Sequence, residues 1–311
     1  MQALAVVLEK PGALTLRPLE LSSPGAEDVV VAVDWTGIST GTERLLWSGR
    51  MPPFPGMGYP LVPGYETVGR VIAAGDRSGR SEGDAVFVPG ARCFGDVRGL
   101  FGGAASRLVT AGARTTLAPT GLGEQAVLLA LAATAQHARA ASKPGRELIV
   151  GHGVLGRLLA RLSVAAGGEP VVWETNSSRR DGALGYAAVD PADDARCDYE
   201  VVYDVSGDST ILDRLIPRLA PGGEIVLAGF YDQSLAFAFP AAFMREARIR
   251  VAAEWRPADL DAVTALLAAG ALSLDGLITH RRGALDAGSA YRTAFEDPSC
   301  IKMVLDWRDC A

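Results

Sequence analysis

Two textures of apolar and polar positions divide this chain. From Met1 to about Pro119 the apolar residues come in short runs, Leu4–Leu8, Val29–Val33 and Ala85–Val88, separated by frequent Gly and Pro. Runs of this kind between turn formers predict a β-rich domain of strands and turns. From Glu124 onward, short apolar runs alternate with stretches of helical spacing. Leu148–Val150, Val171–Glu174, Ala187–Val189, Val201–Val205, Glu224–Ala228 and Arg248–Ala252 predict strands, with Gly156–Ala166 and Thr210–Leu219 as helices among them. Such alternation predicts an α/β domain, a doubly wound parallel sheet covered on both faces. After Pro257 the pattern predicts a helix to about Ala269, a strand at Leu277–Thr279, a helix near Leu285–Phe295 and a last strand at Ile301–Leu305. This tail is expected to return to the first domain, which gives a division into 1–122, 123–256 and 257–311.

Composition changes that picture little. At 311 residues the chain has the length of two domains. Its 49% hydrophobic and 21% charged content is ordinary for a globular enzyme. A net charge of −6 argues against nucleic acid as a partner. Cys93, Cys197, Cys300 and Cys310 include no C-x-x-C pair, so neither a zinc knuckle nor a disulfide framework is expected. The longest apolar stretch, Ala126 to Ala135, is too short for an integral membrane segment. Met1 leads into a strand-like run rather than a signal peptide, and a cytoplasmic location is the expectation.

The sharpest local signal is Leu148-Ile149-Val150 running into Gly151-His152-Gly153-Val154-Leu155-Gly156, with helical spacing after it. A G-x-G-x-x-G between strand and helix predicts a dinucleotide site. Gly151 allows the tight turn, Gly153 lets a diphosphate approach the backbone, and Gly156 lets helix and strand pack closely. The phosphate charge would meet free N–H groups at the helix N-terminus, around Val154 and Leu155. The next strand ends at Glu174, about 20 residues on, where a carboxylate binds a ribose diol and repels a 2′-phosphate. Glu174 therefore favours NAD over NADP. Arg179 either lies against the adenine or accommodates that phosphate. His152 is expected to face solvent or a phosphate, His137 to be packed or half-exposed on its helix, and His280 to be structural. No pair of these has metal-ligand spacing.

Four further segments precede the loop in order: Thr36-Gly37-Ile38 with Ser39-Thr40-Gly41-Thr42-Glu43, Pro63-Gly64-Tyr65-Glu66-Thr67-Val68-Gly69, Gly83-Asp84-Ala85-Val86, and Gly102-Gly103-Ala104-Ala105. Together they resemble the landmarks of the medium-chain dehydrogenase/reductase superfamily. The resemblance implies a GroES-like β-rich domain plus a Rossmann domain, with the active site in the cleft between them. It also implies that Thr134, Gly207 and Phe230 line a nicotinamide pocket, and that two copies pair through the strand at Arg248–Ala252 as a homodimer. Alcohol dehydrogenases of the superfamily hold a catalytic zinc with a Cys and a His at the first two landmarks. Here those positions are Ser39 and Tyr65. A neutral hydroxyl is a poor zinc ligand and Glu66 alone cannot hold the ion, so no bound metal is expected.

Longer stretches narrow the resemblance. Leu45-Leu46-Trp47-Ser48-Gly49-Arg50, Pro55-Gly56-Met57-Gly58-Tyr59-Pro60, Gly95-Asp96-Val97-Arg98-Gly99-Leu100-Phe101 and Ala228-Gly229-Phe230-Tyr231-Asp232 are similar to one branch, the 3-hydroxyethyl bacteriochlorophyllide a dehydrogenases of bacteriochlorophyll biosynthesis. That branch oxidises a hydroxyethyl group on a chlorin-type macrocycle to acetyl with a nicotinamide cofactor. The resemblance implies nicotinamide-dependent alcohol oxidation, and Glu174 with the missing zinc ligands makes the expectation NAD as acceptor and no zinc. A zinc-independent NADPH quinone or enoyl reductase, or a non-catalytic pigment-binding relative, are the competing readings.

Without a metal, a side chain must accept the hydroxyl proton or relay it. Ser39 or Thr42 is expected to hydrogen-bond the substrate hydroxyl, and Tyr65 or Glu66 to take up or pass on the proton. Tyr65 equally suits a packing role, filling the volume a metal would leave. Trp47, Met51, Phe54, Met57 and Tyr59 make an unusually apolar loop, suited either to a wall for a large flat substrate or to packing beneath a domain interface.

Overall fold

The computed structural model describes residues 1–53, 55–142 and 145–310. Two compact units make up the chain, Met1–Ala130 with Ile278–Ala311, and Leu131–Leu277. The first unit begins with β1 (Gln2–Lys10), β2 (Ala13–Glu20), β3 (Asp28–Ile38) and the short helix α1 (Thr42–Ser48). It continues through β4 (Leu61–Val62), β5 (Thr67–Ala74), β6 (Ala85–Val88), β7 (Arg98–Gly99), β8 (Arg107–Ala111) and β9 (Thr116–Leu117). Helix α2 (Leu129–Ala140) leads into the second unit, which holds β10 (Glu147–Val150), α3 (Val154–Ala165), β11 (Val171–Trp173), β12 (Ala187–Val189) and β13 (Tyr199–Asp204). There follow α4 (Leu212–Leu215), β14 (Leu219–Leu227), α5 (Phe239–Arg245), β15 (Arg248–Val251) and α6 (Pro257–Ala268). The chain then returns to the first unit with β16 (His280–Gly283), α7 (Ala287–Glu296) and β17 (Met303–Asp306).

In the first unit a four-stranded sheet runs β2-β1-β4-β7, and a larger sheet runs β16-β17-β3-β5-β6-β9 with β8 also on β3. The return of the tail is a matter of register. β17 lies antiparallel to β3, with Met303 opposite Ile38 and Leu305 opposite Thr36, while β16 runs parallel to β17. Val6, Val31, Leu108, Tyr291, Leu305 and Trp307 are buried together where the elements meet. The Trp307 indole N–H donates to Thr36 Oγ1 at 2.9 Å, which satisfies its one polar atom inside the core.

The second unit carries a six-stranded sheet in the order β12-β11-β10-β13-β14-β15, every neighbouring pair parallel. This is a doubly wound order whose direction reverses between β10 and β13, the place where open α/β sheets bind ligands. All of β10 is buried, as the centre of a sheet covered on both faces requires. No helix among the described residues is long and apolar enough to cross a membrane.

Three sequence expectations need correction. The helix expected over Thr210–Leu219 is only α4 and a 3₁₀ turn, because Pro217 lacks the N–H that would extend the ladder and β14 already begins at Leu219. The strand expected at Leu277–Thr279 lies at His280–Gly283, and Thr279 instead donates its amide to Lys302 O at 3.1 Å. The tail rejoins the first unit at Ile278 rather than 257. Residues 257–277 stay with the second unit because Asp259 bonds His137 at 2.8 Å, and Arg161 donates to the carbonyls of Ser273 and Asp275 at 2.8 and 2.9 Å.

Candidate active site

The first cluster is built where β3 ends and α1 begins. Ser39 follows β3 directly and is buried. Its Oγ accepts the Tyr65 hydroxyl at 2.9 Å, and the Tyr65 ring packs edge-on against Phe101 with centroids 5.5 Å apart. Burial pushes the Tyr65 hydroxyl well above its ordinary value, with the Glu66 charge adding to the rise and hydrogen bonding by Ser39 and Thr42 opposing it. Tyr65 is therefore a neutral donor at physiological pH.

Glu66, expected as an acceptor of the substrate's proton, has other business. It is fully buried, and Lys302 Nζ donates to its two oxygens at 2.9 and 2.7 Å and to Ile38 O at 3.2 Å. The ammonium's three N–H groups are thereby all satisfied. Burial raises the Glu66 carboxyl while Lys302 pulls it back down. A zinc ion does not fit this donor set, since Ser39 and Tyr65 bring hydroxyls and the one carboxylate is already neutralised by a lysine. Among the described residues no group of three or more His, Cys, Asp or Glu could hold a metal.

Sequence reasoning passed over Glu43 as a functional residue. Its Oε1 accepts the Ser39 amide at 3.0 Å and its Oε2 accepts the Tyr291 hydroxyl of α7 at 2.6 Å. Only 1% exposed, the carboxyl is pushed up from 4.5 to about 7, by burial first, while the Tyr291 and Ser39 bonds oppose the rise. The group that fixes the backbone of Ser39 thus has its own proton equilibrium near neutrality.

Trp47, Met51, Met57 and Tyr59 come together over the buried cluster of Leu8, Leu45, Leu46, Leu61 and Leu100. Met51 is buried and the other three are half-buried, with the Tyr59 hydroxyl donating to Leu46 O. Phe54, the fifth of the expected apolar wall, lies outside the described residues.

In the second unit the three glycines take three separate roles. Gly151 has φ +106°, a conformation that favours glycine, as the chain turns from β10. A β carbon on Gly156 would lie 1.8 Å from Gly151 O, so α3 can approach the strand this closely only there. Around Gly153 the space is open to 4 Å. The amides of Val154 and Leu155 in the first turn of α3 have no intrahelical acceptor. An anionic diphosphate fits this cradle. Glu174 faces it from the end of β11, its Oε2 accepting the His152 amide at 3.1 Å and its Oε1 the Asn176 amide at 2.8 Å. Each carboxylate oxygen keeps a lone pair for a ribose diol.

His152 does not face solvent or a phosphate as expected. It is fully buried, its Nδ1 donating to Arg179 O at 2.6 Å, so that its Nε2 accepts from the Tyr186 hydroxyl at 2.8 Å. Burial and the Arg157 charge lower it to about 4, and the ring is neutral. Arg157 clamps the same loop by donating to His152 O, Arg179 O and Asp181 O at 2.8–3.0 Å. Arg179 is held here through its carbonyl. Across the switch point, Gly207 and Phe230 are neighbours, a β carbon on Gly207 lying 3.5 Å from Phe230 O. Tyr231 donates to buried Asp204 at 2.8 Å, which ties the two loops that carry them. Thr134 is half-buried on α2.

Comparison with known proteins identifies the family and the fold. A family model described as the alcohol dehydrogenase GroES-like domain matches residues 25–140. The chain is 57% identical over 312 residues to the 2-desacetyl-2-hydroxyethyl bacteriochlorophyllide A dehydrogenase of Rhodobacter capsulatus, which covers 99% of each chain. It is 56% identical over 318 residues to the protein of that name from Cereibacter sphaeroides, covering 100% of each. The solved structure of L-idonate 5-dehydrogenase from Escherichia coli shares the fold, with a TM-score of 0.86 at 18% identity over 98% of both chains. With more than half its residues shared along its whole length, the chain belongs to the 2-desacetyl-2-hydroxyethyl bacteriochlorophyllide A dehydrogenases, a family of oxidoreductases acting on CH–OH within the medium-chain dehydrogenase/reductase superfamily.

Proposed function

We propose that this chain oxidises the hydroxyethyl side chain of a bacteriochlorophyllide to acetyl, with NAD as hydride acceptor and no zinc, in the cytoplasm. The observation that carries the reading is the Ser39–Tyr65 hydroxyl pair beside a carboxylate already paired with Lys302. Such a site can hydrogen-bond an alcohol but offers a metal no ligand set. The substrate class comes from the relatives, which are named for that pigment.

A bound nicotinamide supplies the acceptor for the carbinol hydride. The protein's task is the proton. As the hydride leaves, charge on the carbinol carbon spreads into the conjugated macrocycle, and the hydroxyl becomes acidic enough for a weak acceptor. Ser39 Oγ, with Thr42 beside it, takes the hydroxyl's hydrogen bond. As the O–H bond breaks the proton passes to Ser39 Oγ, the Ser39 proton to the Tyr65 hydroxyl once that bond reverses, and the Tyr65 proton to bulk water. Tyr65, a poor resting base, thus stays neutral throughout. Glu66 and Lys302 act beneath the pair as a neutral support. Trp47, Met51, Met57 and Tyr59 offer an apolar wall for the flat ring. The cradle at Gly151, Gly153, Val154, Leu155 and Gly156 holds the diphosphate, and Glu174 the ribose diol, which favours NAD over NADP. Arg179 stacks at the adenosine end, and Thr134, Gly207 and Phe230 border the nicotinamide.

A homodimer accompanies this reading. Among the described residues β15 ends its sheet with an unpaired edge, and Val251 is exposed on it along with Phe239, Phe243 and Met244 of the preceding α5. An open edge strand beside exposed apolar side chains is suited to pairing with a second copy, and light scattering on the purified protein would measure it.

The functional test is oxidation of 3-hydroxyethyl bacteriochlorophyllide a by EDTA-treated protein with NAD or NADP. The 3-acetyl pigment is expected with NAD at an undiminished rate. No turnover with either cofactor would refute the reading, and loss of activity to EDTA would refute its zinc-free form.

A further inference from the structure

The apolar wall proposed for the macrocycle leaves one question of geometry. A flat ring on a flat apolar surface is free to turn in its own plane, and only some orientations bring the hydroxyethyl group to Ser39. Arg98 borders that wall. It opens β7, paired with Leu61 of β4, and its amide donates to Pro60 O at 3.3 Å. Its guanidinium lies flat on Gly58, between Met57 and Tyr59 of the wall. A β carbon there would be 2.9 Å from its Cζ and Nη1 and 3.0 Å from its Nε.

The side chain is exposed and makes no hydrogen bond or ion pair with any described residue. Better-buried arginines among the described residues are spent, as Arg157 is on three carbonyls and Arg250 on Glu224 and Ala138 O. Arg98 therefore keeps a rigid fork of N–H donors unspent. From it the chain runs through Leu100, in the apolar cluster, to Phe101, whose ring packs on Tyr65. Three residues span at most ~10 Å, comparable to the width of a tetrapyrrole.

We propose that Arg98 anchors the substrate by its carboxylate, the free propionate that distinguishes a chlorophyllide from its esters, and so sets the in-plane rotation of the ring. This rests on the bacteriochlorophyllide reading above. A guanidinium matches a carboxylate with two parallel hydrogen bonds, which fix direction as well as position. Arg92, exposed on the adjoining segment, has no such contact with the wall and serves as the control cation.

The experiment compares initial rates on the hydroxyethyl bacteriochlorophyllide free acid and on its propionate methyl ester, for the full chain and for Arg98→Gln, Arg98→Lys and Arg92→Gln. The native protein is expected to prefer the acid by about tenfold in kcat/KM, mostly through KM, the size suited to one exposed charge-assisted pair. In Arg98→Gln the acid-to-ester ratio falls to about one, Arg98→Lys keeps part of it, and Arg92→Gln keeps all of it. A native protein that treats acid and ester alike overturns the proposal. So does an Arg98→Gln variant that retains the ratio while losing activity on both, which would mark the residue as structural. If the native protein turns over neither pigment, the substrate reading itself fails and the anchor with it.

Discussion

Glu43→Gln makes the energetics of the site measurable. The carboxyl is enclosed between Ser39 and Tyr291, and burial raises it from an ordinary 4.5 to about 7. Between those values the folded protein holds a proton that the unfolded chain has released, so stability contributed at this group falls as pH rises through the window. At about 1.4 kcal/mol per pH unit, the gap amounts to about 3 kcal/mol. An amide at the same position does not titrate. It can still accept from the Ser39 amide through its oxygen, and its NH₂ can donate to the Tyr291 hydroxyl, which then reverses its role. Urea unfolding followed by tryptophan fluorescence should therefore find the variant close to native near pH 4.5. It should gain on native by about 3 kcal/mol by about pH 8. The carboxylic C=O infrared band, present in the native protein at pH 6, should be missing from the variant. A stability difference that stays flat with pH, or that turns against the variant as pH rises, would refute the account of a carboxyl held neutral by burial.

Other tests follow from the same cluster and from the cofactor loop. Lys302→Met strands the Glu66 carboxylate in the core and should cost about 3–5 kcal/mol, whereas the double variant with Glu66→Gln should cost less; equal losses in a denaturation series would argue against the pair. Tyr65→Phe should lower kcat by about 10²-fold, the low end for a proton-transfer group, with KM unchanged, and unaltered turnover would leave Tyr65 a packing residue. Glu174→Ala should raise KM for NAD about tenfold, the scale of one charge-assisted hydrogen bond, and narrow any preference over NADP in side-by-side kinetics.

Much of the second unit was legible because its signals are local. The glycine loop, the buried run of β10 and the carboxylate at the end of β11 sit within 30 residues of one another, and each obeys a rule of spacing. The Thr210–Leu219 helix misled because periodicity continues past Pro217 while hydrogen bonding does not. What escaped was pairing over distance. Nothing near Glu66 announces Lys302, 236 positions away, and nothing near Glu43 announces Tyr291, 248 positions away. His152 escaped for a different reason. Its position in the motif tolerates many residues, and only the fold reveals that the carbonyl of Arg179 and the hydroxyl of Tyr186 close over it.

The Glu66–Lys302 contact also bears on how this chain comes into being. The first unit is interrupted, with the whole second unit inserted between its two parts. On a ribosome adding about 5–20 residues per second, the 236 positions separating the pair correspond to a delay on the order of 10–50 s. Throughout that interval the nascent β3–β5 sheet lacks both its neighbouring strand β17 and the cation for its central carboxylate. The inserted unit, whose strands are contiguous, can finish first. The first unit is thus completed last, by the arrival of its own tail, and a nascent chain stalled before Lys302 would hold a finished second unit beside an unfinished first one.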